Sequence, residues 1–227
     1  MGEKRIRKLI KRLFDIVVSV IVLIPFFPIW IIIAILIKVT SPGPVFFFQD
    51  RPGLNKKIFK VYKFRTMRPG SEKMIKGKEV MKGDDRITAI GKFLRRSKLD
   101  EIPQVINVLK GEMSLVGPRP ERVASLAEYT NEISKRLNMN PGMTGLAQVS
   151  GNIYLSLENR YKFDVYYVEH YSLLLDLKII IRTFGVVLFG EDRYVNKCLV
   201  DVNLGSSEVA STKEENVLNE KNTYNRS

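Results

Sequence analysis

Residues 16–37 form a 22-residue stretch in which only Ser19, Pro25 and Pro28 interrupt apolar side chains. At about 1.5 Å per helical residue, that stretch predicts a helix long enough to cross roughly 30 Å of hydrocarbon. It is longer than the apolar core of a secretory signal and has no A-x-A cleavage pattern, which points to an anchor. Pro25 and Pro28 each lack an N–H and deprive the carbonyls of Ile21 and Ile24 of helical donors, so a break or kink is expected there. Further along, residues 57–65 (KIFKVYKFR) alternate polar and apolar, the period of a strand with one basic face. Val45-Phe46-Phe47-Phe48 predicts a preceding strand or membrane-surface contact, and Arg51-Pro52-Gly53 a turn. Residues 68–86 are polar and predict a surface loop.

The second half reads as helices. Val105, Ile106, Val108 and Leu109 give an apolar face to a helix starting at Ile102 or Pro103 and ended by Gly111. Residues 122–137 predict a further helix, as do the aromatic-rich residues 154–171. Residues 173–189 are strongly apolar but carry Asp176, Lys178 and Arg182, so they predict a helix lying at an interface or packed on the core rather than spanning. From residue 191 the chain is polar and predicts a disordered tail. The expected organisation is a membrane anchor over 1–40, a catalytic domain over 41–190 and a tail over 191–227. The fold class is α+β, mainly helical, with short strands.

Charge narrows the possibilities. The 227-residue chain has a net charge of +13, and residues 191–227 are acidic on balance, with 5 Lys+Arg against 7 Asp+Glu. A basic body suits an anionic membrane face, phosphorylated substrates or nucleic acid. Cations flank the apolar run on both sides, six before it between Lys4 and Arg12 and many after it from Lys38 to Arg68. The positive-inside tendency wants both flanks in the cytoplasm, which a single crossing cannot satisfy and a re-entrant helix can. Cys198 is the only cysteine and His170 the only histidine, which excludes an intrachain disulfide, Ser-His-Asp and Cys-His catalysis, and His-rich metal sites. Any chemistry must run on carboxylates, cations and backbone amides, with or without a hard metal.

Such groups converge in residues 99–120, LDEIPQVINVLKGEMSLVGPRP. Asp100 and Glu101 follow Lys92, Arg95, Arg96 and Lys98, and are expected at the N-terminal end of the 103–110 helix, where ionised carboxylates and phosphates are both favoured. Arg119 between two prolines is a guanidinium on a stiff backbone, suited to forked binding of phosphate. A capped helix with a solvated charged face would explain the same stretch without chemistry.

KRLFDIVVSV, QDRPGLNKKIFKVYKFRTM, LDEIPQVINVLKGEMSLVGPRP, NPGMTGLAQVSG and FDVYYVEHYSLLLDLKI occur in this order from Lys11 to about Gly190. With them the chain resembles the bacterial sugar transferases, the small monotopic polyprenyl-phosphate phosphoglycosyl transferases. The resemblance implies transfer of a sugar-1-phosphate from a UDP-sugar to a polyprenyl (undecaprenyl) phosphate with release of UMP. It implies Asp100 as nucleophile on the β-phosphorus, Mg²⁺ held at Asp100 with substrate phosphates, and Glu101 orienting the metal or assisting proton transfer. Lys63, Arg95, Arg119 and Asp164 match positions that family members use or retain around the site; the first three are expected on phosphate oxygens, Asp164 as structural or facing the sugar nucleotide. The implied location is the bacterial inner membrane with the catalytic domain on its cytoplasmic face. Membrane lipids are then partners, nucleic acid is not, and monomer and homodimer both stay open. Phe27-Pro28 stands where the family commonly has Ser-Pro, which weakens the re-entrant expectation. Longer relatives carry transmembrane helices before this region, and none is expected here. A membrane-anchored basic binding or scaffold protein without catalysis is the alternative reading.

Overall fold

The computed structural model describes residues 2–71, 84–195 and 199–200, so most of the expected 68–86 loop, Cys198 and residues 201–227 lie outside the described residues. The chain divides into two compact units, one of Met1–Arg51 with Phe59–Met113, the other of Pro52–Ile58 with Ser114–Ser227.

In the first unit the apolar run lies within one long helix, α1 (Gly2–Thr40), whose assignment continues through Pro25 and Pro28. The prolines remove two donors without ending the helix. The segment Ile6–Thr40 is long and apolar enough to cross a membrane, with a mean hydropathy of 3.1 in its most apolar window and only 17% of that window buried. So low a burial is not that of a soluble core helix. One face of α1 is nonetheless covered: Lys11, Asp15 and Ser19 near its start, then Trp30, Ile33 and Ile37 near its end. The spacing keeps these residues on one side of the helix. Between them, residues 24–29, which include both prolines, are all exposed.

The covered C-terminal half of α1 builds the unit's core. Trp30, Ile33 and Ile37 pack with Phe64 and Leu94, joined by Ile90, Leu99, Ile102 and Ile106. Trp30 meets Phe64 edge-on at 6.0 Å between centroids, and Phe46 stacks on Phe64 at 5.4 Å. Phe64 ends β2 (Ile58–Phe64), the strand that the alternation predicted; it pairs with β1 (Phe46–Pro52), which settles the 45–48 segment as a strand. Buried Arg65 donates to the Ser41 carbonyl (2.7 Å) and so occupies an orphaned acceptor at the end of α1. Next come α2 (Ala89–Arg96), N-capped by the Thr88 hydroxyl, and α3 (Gln104–Lys110), closed by Gly111 at φ 82°. Arg12 donates to the last carbonyls of α3, those of Val108 and Leu109 (2.7 Å to the latter).

In the second unit, β3 (Ser114–Val116) runs parallel to β4 (Gly142–Thr144), with Ser114 opposite Gly142 and Val116 opposite Thr144. Gly117 is required at the end of this ladder, because a Cβ there would lie 2.4 Å from the Asn140 carbonyl oxygen. The expected single helix over 122–137 is instead a 3₁₀ segment (Val123–Glu128), a short helix α4 (Asn131–Ser134) and another 3₁₀ turn (Lys135–Asn138). Thr130 explains the interruption: it is extended, and its hydroxyl caps the N–H of Ile133 (3.2 Å), starting a new helix.

α5 (Leu146–Val149), α6 (Leu157–Glu169) and α7 (Leu173–Phe189) enclose a core of Val116, Leu146, Val149, Phe163, Tyr167, Ile179 and Val186. α7 has the expected bounds. Its Asp176 is buried with Oδ1 2.7 Å from the Tyr167 hydroxyl, and Arg182 turns inward to the Val149 carbonyl (3.1 Å). Leu174, Leu177, Ile181, Phe184 and Leu188 remain exposed along its other side. The expected tail begins with order: Asp192–Tyr194 form a 3₁₀ turn, Glu191 accepts from Asn152 (3.0 Å), and the Arg182 guanidinium lies 4.8 Å from the Tyr194 ring centroid.

Candidate active site

The two carboxylates do not open α3. They sit in their own 3₁₀ turn, Leu99–Glu101, entered through Lys98 in left-handed backbone (φ 57°). The cause is in the sequence: Pro103 has no N–H, so it occupies the N-cap position and α3 starts only at Gln104. The dyad thus precedes the helix N-terminus in a turn of its own, with α3 starting one or two residues later than expected.

Asp100 is the buried member, 9% exposed. Burial raises its pKa to about 6, and the neighbouring Glu101 charge adds to that, while Lys63, Arg95 and Lys98 pull in the opposite direction. Glu101 is partly exposed and pairs with Lys63, Nζ to Oε1 at 2.6 Å. Lys63 projects from β2, and Asn107 fixes that strand against α3. This fully buried side chain accepts from the Tyr62 N–H (3.0 Å) and donates to the Lys60 carbonyl (2.7 Å) and to Glu112 (2.7 Å). Its amide therefore bonds the strand as a neighbouring strand would.

Arg95 is held in a similar way. Its Nε donates to the Thr66 hydroxyl (2.8 Å), and the Thr66 carbonyl accepts from the Thr88 N–H (3.0 Å). Gly91 permits this approach of α2, since a Cβ there would fall 2.0 Å from the Thr66 oxygen. Asp100, Glu101, Lys63 and Arg95 thus belong to one unit, with two acids and two cations on named supports.

Arg119 and Asp164 belong to the second unit and are neighbours there. Asp164 is 1% exposed and forms a buried ion pair with Arg136, 2% exposed. It does not line an open surface. Burial raises its pKa to about 6 against the pull of Arg136. Burial opposes the Arg136 charge most strongly, but Asp164, Tyr129 and Glu121 together outweigh it and raise the guanidinium's pKa. The sequence reading had no role for Arg136 or Asn107. For Asn107 the one signal was a polar residue inside an apolar helical pattern, between Ile106 and Val108; Arg136, beside Ser134, Lys135 and Asn138, reads as a surface cation and gave none.

Among the described residues no cluster of three or more His, Cys, Asp or Glu could hold a metal alone. Asp100 and Glu101 are the carboxylates present here, and Mg²⁺ is a cation that binds through one or two carboxylates and takes its other ligands from water and substrate phosphates. The crowding of Asp100 and Glu101 is the kind of environment that a divalent cation relieves.

A buried acid beside a second acid and flanked by cations is an arrangement suited to chemistry on phosphates. The family pattern of the bacterial sugar transferases matches residues 6–190, and the chain belongs to that family. It is 39% identical over 204 residues to the uncharacterized sugar transferase EpsL of Bacillus subtilis (strain 168), covering 89% of this chain and all of the relative. It is 44% identical over 188 residues to the UDP-glucose:undecaprenyl-phosphate glucose-1-phosphate transferase of Klebsiella pneumoniae, covering 78% of this chain and 40% of that protein. It is 43% identical over 190 residues to the exopolysaccharide production protein PSS of Rhizobium leguminosarum bv. phaseoli, covering 79% and 94%. The chain therefore spans the full length of some relatives and about two-fifths of others.

Proposed function

We propose that the protein transfers a sugar-1-phosphate from a UDP-sugar to a polyprenyl phosphate, the first membrane step in assembling a glycan. The observation that carries this is Asp100, a buried carboxylate held beside Glu101, Lys63 and Arg95 in a chain of this family. Asp100 attacks the β-phosphorus of the UDP-sugar. One Asp100 O–P bond forms, the P–O bond to UMP breaks, and UMP leaves with the electron pair. A phosphate oxygen of the polyprenyl phosphate then attacks the same phosphorus, and the Asp100 carboxylate departs. Each step makes one P–O bond and breaks one. With its pKa near 6, Asp100 is largely ionised at pH 7 and able to attack. Lys63 and Arg95 would neutralise phosphate oxygens at this site, and Arg119, in the other unit, is proposed separately as a phosphate holder from its proline-flanked position. Asp100 and Glu101 would hold Mg²⁺ together with substrate phosphates, and the ion would supply positive charge to the departing UMP.

The membrane part of the proposal is that α1 enters and leaves the cytoplasmic leaflet without crossing. Three features support it: cations on both flanks, prolines at 25 and 28, and the exposure of every residue from 24 to 29 between two halves covered on one face. The exposed apolar side of α7 is assigned to the same interface. Single cysteines at position 3 and within 72–82, in a Cys198→Ser background, are expected to resist an impermeant maleimide in intact cells. Labelling at position 3 from outside would make α1 an ordinary spanning helix and leave the chemistry untouched.

The chemistry is tested by incubating the purified protein with a panel of UDP-sugars, with and without polyprenyl phosphate, and measuring UMP. With the sugar nucleotide alone, the peptide containing Asp100 should gain the mass of one phosphosugar, and Asp100→Asn should abolish both signals. Turnover by that variant near the wild-type rate, with deamidation excluded, removes Asp100 as nucleophile.

A further inference from the structure

We infer that Arg136 and Asp164 are positioning residues that act as one clamp on the backbone of Arg119 and so aim its guanidinium. The inference rests on the proposed function only in giving that guanidinium a phosphate to hold.

The segment Pro118-Arg119-Pro120 contains a single N–H, because both prolines lack one. That N–H bonds to the Asp164 carboxylate, and the Arg119 carbonyl accepts from Arg136 Nη2 at 2.7 Å. The two partners are themselves joined, since the same Nη2 donates to Asp164 Oδ2. The buried ion pair thus takes both polar groups of the Arg119 backbone.

The clamp is fixed from behind and the segment from the front. The Arg136 guanidinium lies 4.7 Å from the Tyr161 ring centroid and 5.5 Å from that of Tyr129, two rings that meet edge-to-face, and it also donates to the Tyr129 hydroxyl. Just upstream, the Gly117 N–H donates to the Thr144 carbonyl and the Pro118 carbonyl accepts from the Gly142 N–H, both at 2.9 Å. The backbone from 117 to 119 is pinned at each residue, and only the Arg119 side chain projects from it, half-buried.

A buried pair is a poor source of stability, because desolvation of two charges offsets much of their attraction. Its return here is geometric. Displacing a phosphate-binding fork by about 1 Å costs on the order of 100-fold in rate. A guanidinium at the end of a flexible side chain needs its Cα held firmly if it is to bind two oxygens at once.

The test is a double-mutant cycle. Asp164→Ala and Arg136→Lys are each expected to lower kcat/KM on the order of 100-fold, divided between kcat and KM as in Arg119→Ala. Combined with Arg119→Ala, either should cause no further loss beyond about twofold. Multiplying losses would mean that Asp164 and Arg136 act independently of Arg119 and would overturn the inference. Melting temperatures are measured alongside, and Asp164→Asn, nearly isosteric, replaces any Ala variant that fails to fold. Amide hydrogen exchange at Arg119, resolved by fragmentation mass spectrometry, provides a readout without catalysis. It should be slow in the wild type and accelerate when Asp164 is changed. Unchanged exchange refutes the clamp even if activity falls. A wild type that releases no UMP refutes the proposed reaction while the exchange result still decides the clamp.

Discussion

Asp100→Asn replaces a buried carboxylate by a neutral group of nearly the same shape, and its effect on stability can be worked from the structure. Burial, with Glu101 beside it, raises the Asp100 pKa from its ordinary 3.8 to about 6, even after the favourable influence of Lys63, Arg95 and Lys98. The folded protein therefore binds this proton more tightly than the unfolded chain does. Ionising the group costs the folded state about 3 kcal/mol, at roughly 1.4 kcal/mol per pH unit. That cost is fully present above about pH 7, shrinks as the pH falls through 6, and vanishes only below about pH 3, where the carboxyl is protonated in both states. Asn never carries it. The variant should be more stable than the wild type by about 3 kcal/mol at pH 8, or roughly 6–12 °C in Tm for a chain of this size, while UMP release is lost. At pH 4 the difference should have fallen to about 0.5 kcal/mol. Thermal unfolding in detergent at both pH values measures the difference. A gain that is equal at the two pH values, or a loss at pH 8, would show that the cations around Asp100 outweigh its burial, and the reasoning would fail.

Two further predictions use the same support. The acid limb of kcat/KM should lie near pH 6, with roughly tenfold less activity at pH 5 than at pH 7; Glu101→Gln should shift that limb to lower pH and Lys63→Met to higher pH, whatever each does to the maximum. An unmoved limb in both variants would assign it to another group. Asn107→Ala leaves the Tyr62 N–H, the Lys60 carbonyl and Glu112 each without this partner, and should cost about 1–3 kcal/mol for each group left unsatisfied and buried, read from the denaturant midpoint. A change below about 0.5 kcal/mol would show that water replaces the clamp.

The elements legible in the sequence are those written in local pattern. The strand over 58–64 follows from alternation, and α7 from an apolar run that starts after Ser172 and stops at Gly190. The Asp-Glu pair and Pro-Arg-Pro stood out because unusual residue types were adjacent. What escaped depends on partners far away in the chain. Asn107 reads as a flaw in an apolar helix until β2 is seen beside it, 45 and 47 residues earlier. Arg136 reads as a surface cation until Asp164, 28 residues later, buries it. The split of 122–137 depended on one hydroxyl at Thr130 outcompeting a weak helical periodicity, and the order at 191–195 on a ring settling over Gly185.

The covered face of α1 makes it more than something to hold the enzyme down. Cutting the chain after Thr40 would strip Trp30, Ile33 and Ile37 from Phe64 and Leu94, and would deprive the α3 carbonyls of Arg12. Asp100 and Glu101, the proposed catalytic pair, lie in the turn leading into that helix. A truncation designed to yield a soluble enzyme would thus remove one wall of the unit that carries Asp100, and a graft of a foreign transmembrane segment would restore the address without restoring the wall. For this protein, solubilisation must work around the membrane helix, by lipid nanodisc or detergent, because the helix cannot be discarded without discarding part of the fold that presents Asp100.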